Sequence, residues 1–280
     1  MALQLLRERH TATVLGTDLT TGEEMFLPQR APPHVFLVGN IGSGKSTLIK
    51  TMVHEDIRNG RGLALFDPHD GVLVKAVLGL IPAQQLTDVV YLDLTDTSAP
   101  FGLNIFACDD PGSITQAGRI ANFVLSLFAT LFGVGLANAP QLSMVLRNIA
   151  RVLIEQGLTF VEIPLLLSNE TVRERLTATL RNPQVKLFWE EYNRRTARER
   201  SDLTASTVNK LDPFLSDPLV ANIVSQRSTL PWRHLMDERR IILIALLRQV
   251  GEASRLIGAT ILSHLVGQVF SPMSRKRWSV

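Results

Sequence analysis

Short apolar runs alternate with helix-like segments over the first third of the chain. Residues 34–38, 63–66 and 89–92 are mostly apolar, which is typical of strands buried on both faces. Residues 47–58 and 72–80, between those runs, have the length and periodicity of helices. Strands that alternate with helices at this spacing predict a mainly parallel sheet, so the fold class is α/β.

Two further strand signals precede this region. The runs TATVLG (residues 11–16) and EMFLP (residues 24–28) are short and extended in character. Residues 18–22 between them, DLTTG, have the composition of a turn. We therefore predict an N-terminal β-hairpin within residues 1–30.

The pattern changes after residue 106. From about residue 113 to 235 the periodicity is helical and is interrupted by cap residues and prolines, which predicts an all-helical insert. The interruptions fall at residues 138–140, 168–170, 182–183, 201–202, 212–213 and 217–218. Residues 239–247 then form another buried strand, and residues 252–270 another helix. The predicted domains are a core over residues 31–106, an insert over 107–236 and a return to the core over 237–280.

Composition indicates a folded protein rather than a disordered one, because 45% of the residues are hydrophobic and 20% are charged. The formal net charge is only +3, which gives no strong argument for nucleic acid. Arginines are concentrated within residues 170–200, where five glutamates accompany them. A solvated helical face is the favoured interpretation of this segment, and a surface that contacts DNA is the alternative.

Cysteine usage and hydropathy predict a cytoplasmic protein without a membrane span. Cys108 is the single cysteine, so no intrachain disulfide is possible and a reducing compartment is expected. The N-terminus has too short an apolar run for a signal peptide. Residues 120–137 approach the length of a membrane span, but they include Gly133 and Gly135 and lack aromatic or basic anchors at both ends. We predict a buried helix there.

A phosphate-binding motif follows the first predicted strand of the core. Residues 39–46, GNIGSGKS, fit the pattern G-x-x-x-x-G-K-[ST] without a mismatch. Its glycines allow backbone N–H groups to curl around phosphates, and the helix that follows adds its positive end. Lys45 should reach the β- and γ-phosphates of ATP, and the Ser46 hydroxyl should bind Mg²⁺. The predicted nucleotide-binding residues are Gly39, Asn40, Ile41, Gly42, Ser43, Gly44, Lys45, Ser46 and Thr47.

The residues that would hydrolyse ATP are less evident. Asp67 and Asp93 each end a predicted strand, but no glutamate follows either of them to orient a water molecule. The late apolar run, residues 239–247, ends without an acid. Asp67 lies on the first strand after the P-loop helix, so we take Lys45 and Asp67 as the candidate catalytic residues. We therefore favour an ATPase activity, but the sequence does not identify the acid that would orient the water.

The segment FDPHD, residues 66–70, resembles the HerA/FtsK superfamily of P-loop motors, in particular the TraD/TraG-like coupling ATPases of conjugation and type IV secretion. Members commonly carry an Asp-Pro-His-Gly-Asp motif after the P-loop helix, whereas here Asp70 precedes Gly71, which leaves the role of Asp70 open. Residues 15–27, FGLNIF at 101–106 and the strand at 241–246 are also similar to that family.

This resemblance implies a RecA-like core, a hexameric ring of identical subunits and ATP-driven movement of DNA, with conjugation or secretion machinery as a possible partner. It also implies an Asp-Glu strand, a polar sensor and an arginine finger downstream of residues 241–247. The sequence shows none of these before Val280, so we expect a fragment or a truncated gene product.

Three other functions remain open. The P-loop is also similar to that of deoxynucleoside kinases, whose Glu/Asp-Arg-Ser motif is matched at residues 199–201. Residues 209–212, NKLD, match the guanine-reading box of GTPases, although no buried strand precedes them. The third alternative is a non-catalytic ATP-binding fragment or subunit.

Overall fold

The computed structural model describes residues 13–27, 35–94, 96, 98–133, 138–246 and 251–269. The chain forms two compact units. The first contains the described residues within 1–93, 232–247 and 266–280, and the second those within 94–231 and 248–265. The domain boundaries given above stay predictions.

An antiparallel hairpin opens the first unit. Strand β1 (Thr13–Thr17) pairs with strand β2 (Glu24–Leu27), with Thr13 opposite Leu27 and a register shift between Val14 and Gly16. The Asp18 carboxylate accepts the backbone N–H groups of Thr20 and Thr21, which fixes the turn. The predicted hairpin is confirmed, and residues 11, 12 and 28 lie outside the described residues.

A parallel sheet of three strands follows: β3 (Leu63–Asp67), β4 (Val89–Asp93) and β5 (Ile241–Ala245). Their order is β3–β5–β4. Residues 63–67 pair in order with 241–245, and residues 89–93 pair with the same residues on the other side. The predicted parallel arrangement is therefore confirmed.

Helices cover this sheet. Helix α1 (Lys45–Arg58) and helix α2 (Val72–Leu78) flank β3 along the chain, and a short 3₁₀ helix (Ala83–Asp88) precedes β4. The two helices and the strands share one apolar core. It consists of Val53, Ile57, Leu65, Val74, Val77, Ile81, Ile241 and Leu243.

The strand predicted at residues 34–38 is wrong for the described residues 35–38, which form no regular structure. His34 lies outside the described residues. Phe36 and Val38 are largely exposed, with 90% and 79% of their surface accessible. A strand needs a neighbour for its backbone hydrogen bonds, and the three described core strands pair only with one another.

The second unit is predominantly helical. Its first seven helices are α3 (Ile114–Leu131), α4 (Pro140–Gln156), α5 (Ile163–Ser168), α6 (Glu170–Ala178), α7 (Pro183–Arg194), α8 (Ala197–Ser216) and α9 (Pro218–Val224). A 3₁₀ helix (Phe160–Glu162) precedes α5. Farther along the chain, α10 (Trp232–Asp237) belongs to the first unit, and α11 (Glu252–Val269) belongs to the second as far as residue 265.

Four of the predicted helix breaks are confirmed. Helices α4, α7 and α9 each begin with a proline, and the side chains of Asn169, Asn182 and Asp217 cap the first turns of α6, α7 and α9. Each proline fits the first turn because a backbone N–H there has no partner inside the helix.

The breaks predicted at residues 201–202 and 212–213 are wrong, because α8 runs unbroken through both. Thr196 caps this helix, and Glu199 completes a reciprocal capping box with it. Proline inside a helix costs about 3 kcal/mol. Here Leu211 and Phe214 are both buried, so tertiary packing outweighs that local cost.

Four buried phenylalanine rings pack together in the second unit. Phe106, Phe128, Phe160 and Phe214 form a contiguous cluster with ring centroids 5.1 to 6.1 Å apart. Phe128 lies on α3, whose buried residues include Ala121, Val124 and Leu125. The apolar segment that begins at residue 120 thus packs as a buried helix as far as residue 131, and residues 134–137 lie outside the described residues. Among the described helices, none is long and apolar enough to cross a membrane.

The start of α8 gives a test of the corrected helix boundary. Thr196→Ala removes the hydroxyl that accepts the Glu199 N–H, so we expect the free energy of unfolding to fall by about 1 kcal/mol. Ser201→Ala, at the break predicted from the sequence, should change it by less than about 0.5 kcal/mol. Urea denaturation of both variants measures the difference, and equal effects would contradict the observed cap.

Candidate functional site

The P-loop, residues 39–46, has a backbone that requires glycine at several positions. Gly42 and Gly44 have φ angles of 82° and 87°, a left-handed conformation that other residues rarely adopt. A β-carbon at Gly39 would lie 2.4 Å from the Ser43 hydroxyl oxygen. Gly42 and Gly44 therefore allow the loop to curve, while a β-carbon at Gly39 would displace the Ser43 hydroxyl.

Lys45 closes the loop. Its Nζ donates hydrogen bonds to the carbonyl oxygens of Gly39 and Asn40, each at 2.7 Å. These bonds hold the ammonium group against the loop, where phosphate oxygens can replace the carbonyls as acceptors. Because the loop residues 39–44 are exposed, a ligand can reach this charge from solvent.

The N-terminus of α1 presents free donors at the same place. The first backbone bond of the helix is donated by Leu48 to Gly44, so the N–H groups of Lys45, Ser46 and Thr47 precede it. In α1, all of which the structure describes, the first turn has no acidic residue and Gly44 provides no side-chain cap. The positive end of the helix is thus available to an anion.

The residues present fit ATP and Mg²⁺. Nothing lies within 4 Å of the β-carbon positions of Gly42 and Gly44, and Lys45 supplies a positive charge. The exposed hydroxyl of Ser46 has no hydrogen bond within the described part of the chain, so it remains available to a cation. Within the described residues, no group of three or more His, Cys, Asp or Glu could hold a metal ion by itself. Bound Mg²⁺ would therefore rely on Ser46 and the phosphates.

Asp67 and Asp93 lie at the same edge of the parallel sheet, because both are in register with Ala245 at the end of β5. In α/β folds, ligands bind outside the carboxyl ends of the strands, which is the edge these residues occupy. Ala245 contributes no acid at the position between them.

Asp67 is 1% exposed, and both of its carboxylate oxygens accept hydrogen bonds from backbone N–H groups. One carboxylate oxygen accepts the His69 N–H at 2.9 Å, and the other accepts those of Leu73 at 2.6 Å and Val74 at 3.3 Å. These bonds fix the DPHD turn and cap the first turn of α2. The catalytic role of Asp67 stays a prediction, while its contribution to the fold is visible.

Asp93 has a different environment. It is half-buried, and its carboxylate accepts the Tyr91 hydroxyl at 2.7 Å. Burial of the phenol, together with the hydrogen bond and the charge of Asp93, raises the pKa of Tyr91 to about 12. The Tyr91 proton therefore stays on the phenol at neutral pH, and the pair acts as a neutral donor beside a carboxylate.

Gly71 is a structural requirement that the sequence did not reveal. Its φ angle is 73°, and a β-carbon there would lie 2.9 Å from the β-carbon of Ala245. The preceding residue, Asp70, is exposed and also has a positive φ, of 59°. Glycine is therefore needed at position 71 rather than 70, which gives a steric reason for the exchanged order of the DPHDG motif.

The remaining sequence motifs lie on helices of the second unit. Residues 199–201 occupy the first turn of α8, where the Glu199 carboxylate accepts the Thr196 N–H at 2.8 Å. Residues 209–212 lie in the C-terminal half of the same helix, and Lys210 Nζ lies 4.7 Å from the centre of the Phe132 ring. Neither motif has the strand-to-loop setting of a kinase or GTPase site.

The arginine-rich segment does not form a uniform surface. Arg173 is buried, with 1% of its surface exposed, and Arg200 is half-buried. The other arginines of the segment are exposed: Arg175, Arg181, Arg194, Arg195 and Arg198. A solvated face accounts for these five, whereas the first two need a separate explanation.

The contact at Gly71 gives a prediction with a matched control. Gly71→Ala combines a strained φ with a close approach to β5, so we expect the free energy of unfolding to fall by about 2–3 kcal/mol. Gly22 has nearly the same φ, 71°, but nothing lies within 4 Å of its β-carbon position. Gly22→Ala should therefore cost only about 1 kcal/mol. Urea denaturation checks both, and equal losses would show that the contact is relieved without cost.

Comparisons with known proteins give a likeness in structure. No protein-family model matches the chain, and no curated protein matches its sequence. Among solved structures, the bacterial conjugative coupling protein TrwBΔN70, in its unbound monoclinic form, is similar with a TM-score of 0.57 and 17% sequence identity. The likeness covers 96% of this chain and 59% of the coupling protein, so the chain spans less than two thirds of that structure. At the level of the fold, the predicted RecA-like α/β core with a helical insert is confirmed, and the chain shares the fold of the matched part of that coupling protein.

Proposed function

We propose that this chain binds ATP with Mg²⁺ and forms part of an ATP-dependent DNA translocase of the conjugation or type IV secretion class. The observation that carries the proposal is the P-loop, in which Lys45 is held over a glycine-rich turn at the open N-terminus of α1. The coupling-protein fold supports the assignment to conjugation.

Each group of the P-loop has a defined role in this proposal. The N–H groups of Lys45, Ser46 and Thr47 bind the phosphates, and the Lys45 ammonium neutralises the β- and γ-phosphate oxygens. Ser46 coordinates the Mg²⁺. Bound Mg²⁺ would neutralise charge that develops on the phosphates. The protein residues thereby hold the triphosphate in one orientation.

The larger assembly is also proposed. The resemblance to the HerA/FtsK superfamily supports a hexameric ring, with ATP between subunits and DNA as the substrate that moves. Contacts of such a motor to DNA would be to phosphates, and its affinity would fall as the salt concentration rises. The exposed arginines of the second unit, Arg175, Arg181, Arg194, Arg195 and Arg198, are the candidate phosphate contacts. A cytoplasmic location agrees with the single cysteine.

A second candidate function is a non-catalytic ATP-binding subunit. Two observations favour it: both carboxylate oxygens of Asp67 accept backbone N–H groups, and β5 ends in Ala245 rather than in an acid. An acid that orients water would then have to come from another part of the assembly. ATP turnover distinguishes the two functions.

The central charge of the P-loop gives the first functional prediction. Lys45→Ala should reduce the affinity for ATP at least about 100-fold, because a charge-assisted contact to the phosphates is lost. The control is Lys50→Ala, which removes a lysine from the same helix outside the motif and should leave the affinity unchanged. Equilibrium binding of a fluorescent ATP analogue measures both, and unchanged affinity in Lys45→Ala would refute the proposed site.

Turnover of ATP by the purified chain, with and without DNA, then tests the motor itself. DNA-stimulated turnover that Lys45→Ala abolishes would support a translocase. An ATP-binding chain without turnover would favour the non-catalytic subunit.

Asp67 gives a prediction that separates its two roles. Asp67→Ala leaves three backbone N–H groups without an acceptor, so we expect the free energy of unfolding to fall by about 2 kcal/mol. Asp93→Ala, at the same sheet edge, should cost about 1 kcal/mol or less, because Asp93 is only half-buried. Urea denaturation measures both. Unchanged stability of Asp67→Ala, together with lost ATP turnover, would show that Asp67 acts chiefly in catalysis.

A further inference from the structure

A cleft in the second unit lies between α5 and α8 and has a volume of about 450 Å³. This volume is within the range of small-molecule sites in proteins, roughly 300–1,000 Å³. Its apolar wall consists of Ile163 and Leu167 on α5 and Val208, Leu211 and Leu215 on α8. The P-loop belongs to the other unit, so this cleft is not part of the proposed nucleotide site.

The cleft is elongated and has two different ends. Arg200 lines it near the start of α8, and Asp212 lines it three turns farther on. At 1.5 Å of rise per residue, the two are about 18 Å apart along the helix axis. Val208 and Leu211 lie between them along α8, so a ligand that extends from Arg200 toward Asp212 would meet a cation, then an apolar wall, then an acid.

Arg200 has free donors. One of its amino groups donates to the carbonyl oxygens of Asn193 at 3.4 Å and Arg195 at 3.1 Å. Within the described residues, the Nε and the second amino group of Arg200 have no protein partner, and no carboxylate forms an ion pair with it. Guanidinium groups bind carboxylates through two parallel hydrogen bonds, and this geometry needs two such free donors.

A second cation lies directly behind the wall of the cleft. Arg173 is 1% exposed, and its guanidinium lies 4.9 Å from the centre of the Tyr192 ring, which lines the cleft. It donates to Asn193 Oδ1 at 2.5 Å and to the carbonyl oxygens of Leu166 and Leu167 at 3.3 and 3.2 Å. Its other amino group is buried and has no hydrogen-bond partner.

Positive charge at this end of the cleft is therefore not balanced by a direct ion pair. Burial lowers the pKa of Arg173, and the positive charge of Arg200 lowers it further. Glu170 and Glu174 act in the opposite direction, but neither forms an ion pair with Arg173 among the described residues. A negative charge placed at Arg200 would be attracted by both guanidinium groups.

We propose that this cleft binds an amphipathic carboxylate, a molecule with one anionic head and a short aliphatic chain. The head lies against the free donors of Arg200, and the chain lies along Ile163, Val208 and Leu211. Asp212 repels an anion from the opposite end, so the ligand has one orientation. Tyr192 is buried and presents no exposed ring for stacking, which disfavours a nucleobase in the cleft.

Three eight-carbon probes that differ only in the head group test this site. Isothermal titration calorimetry of the full chain compares octanoate, octan-1-ol and octylammonium. Octanoate should bind at least about tenfold more tightly than octan-1-ol, because hydrogen bonds to a charged group are stronger than those to a hydroxyl. Octylammonium should also bind more weakly than octanoate, because Arg200 repels it and in the reversed orientation it can pair only with the exposed Asp212.

Matched variants test where the anionic head and the aliphatic chain of the ligand bind. Arg200→Gln should reduce the affinity for octanoate to that for octan-1-ol, whereas Arg198→Gln, an exposed neighbour outside the cleft, should have no effect. Val208→Gln should weaken octanoate and octan-1-ol alike by at least about threefold. Leu187→Gln, which changes a similarly exposed apolar residue on α7, should weaken neither.

The outcomes separate the proposal from its alternatives. Equal affinity for the three probes, or no binding of octanoate up to millimolar concentration, would overturn it. Equal losses in Arg200→Gln and Arg198→Gln would show attraction by surface charge in general and would also overturn it. Thermal unfolding by circular dichroism checks that each variant is folded. The result does not depend on ATP binding, so the P-loop proposal can fail or succeed separately.

Discussion

Strand β5 is the element on which the first unit depends, because it forms backbone hydrogen bonds on both sides. It pairs with β3 along one edge and with β4 along the other, and all five of its residues are buried. Along the chain, helices α3 to α9 of the second unit lie between β4 and β5. The sheet is therefore complete only when β5, which follows this long segment, pairs with β3 and β4. Its pairing joins parts of the chain that are distant in sequence.

The same strand determines what surrounds the end of the sheet. Ala245 lies between Asp67 and Asp93 in register, and its small side chain allows Gly71 to approach closely. The turn that contains Gly71 is held by Asp67, which also caps α2. The carboxylate that sequence reasoning selected for catalysis thus has a structural function as well. A residue with both functions can be assigned to catalysis only when stability and turnover are measured on the same variant.

Some arginines of the second unit are exposed to solvent, and others are wholly or partly buried. Five arginines of the segment 170–200 are exposed, and they account for its polar character in the sequence. Arg173 and Arg200 differ because helices α5, α7 and α8 enclose them wholly or in part beside an apolar cleft. Burial of the Arg173 guanidinium without a carboxylate partner costs free energy. Its position beside the cleft therefore favours an anion as the ligand.

The sequence by itself determined the features that depend on local rules. Residues 39–46 specify a glycine-rich turn before α1, the DLTTG turn specifies the hairpin, and cap residues such as Asn169 and Asp217 set helix starts. These features depend on backbone conformation and short-range hydrogen bonds, which neighbouring residues decide. Tertiary structure decided the rest. Residues 35–38 lack a described partner strand, α8 continues through Pro213 because Leu211 and Phe214 are buried, and Gly71 is required by Ala245. In each case the deciding contact comes from a part of the chain that local pattern cannot identify, because packing depends on which residues meet in space.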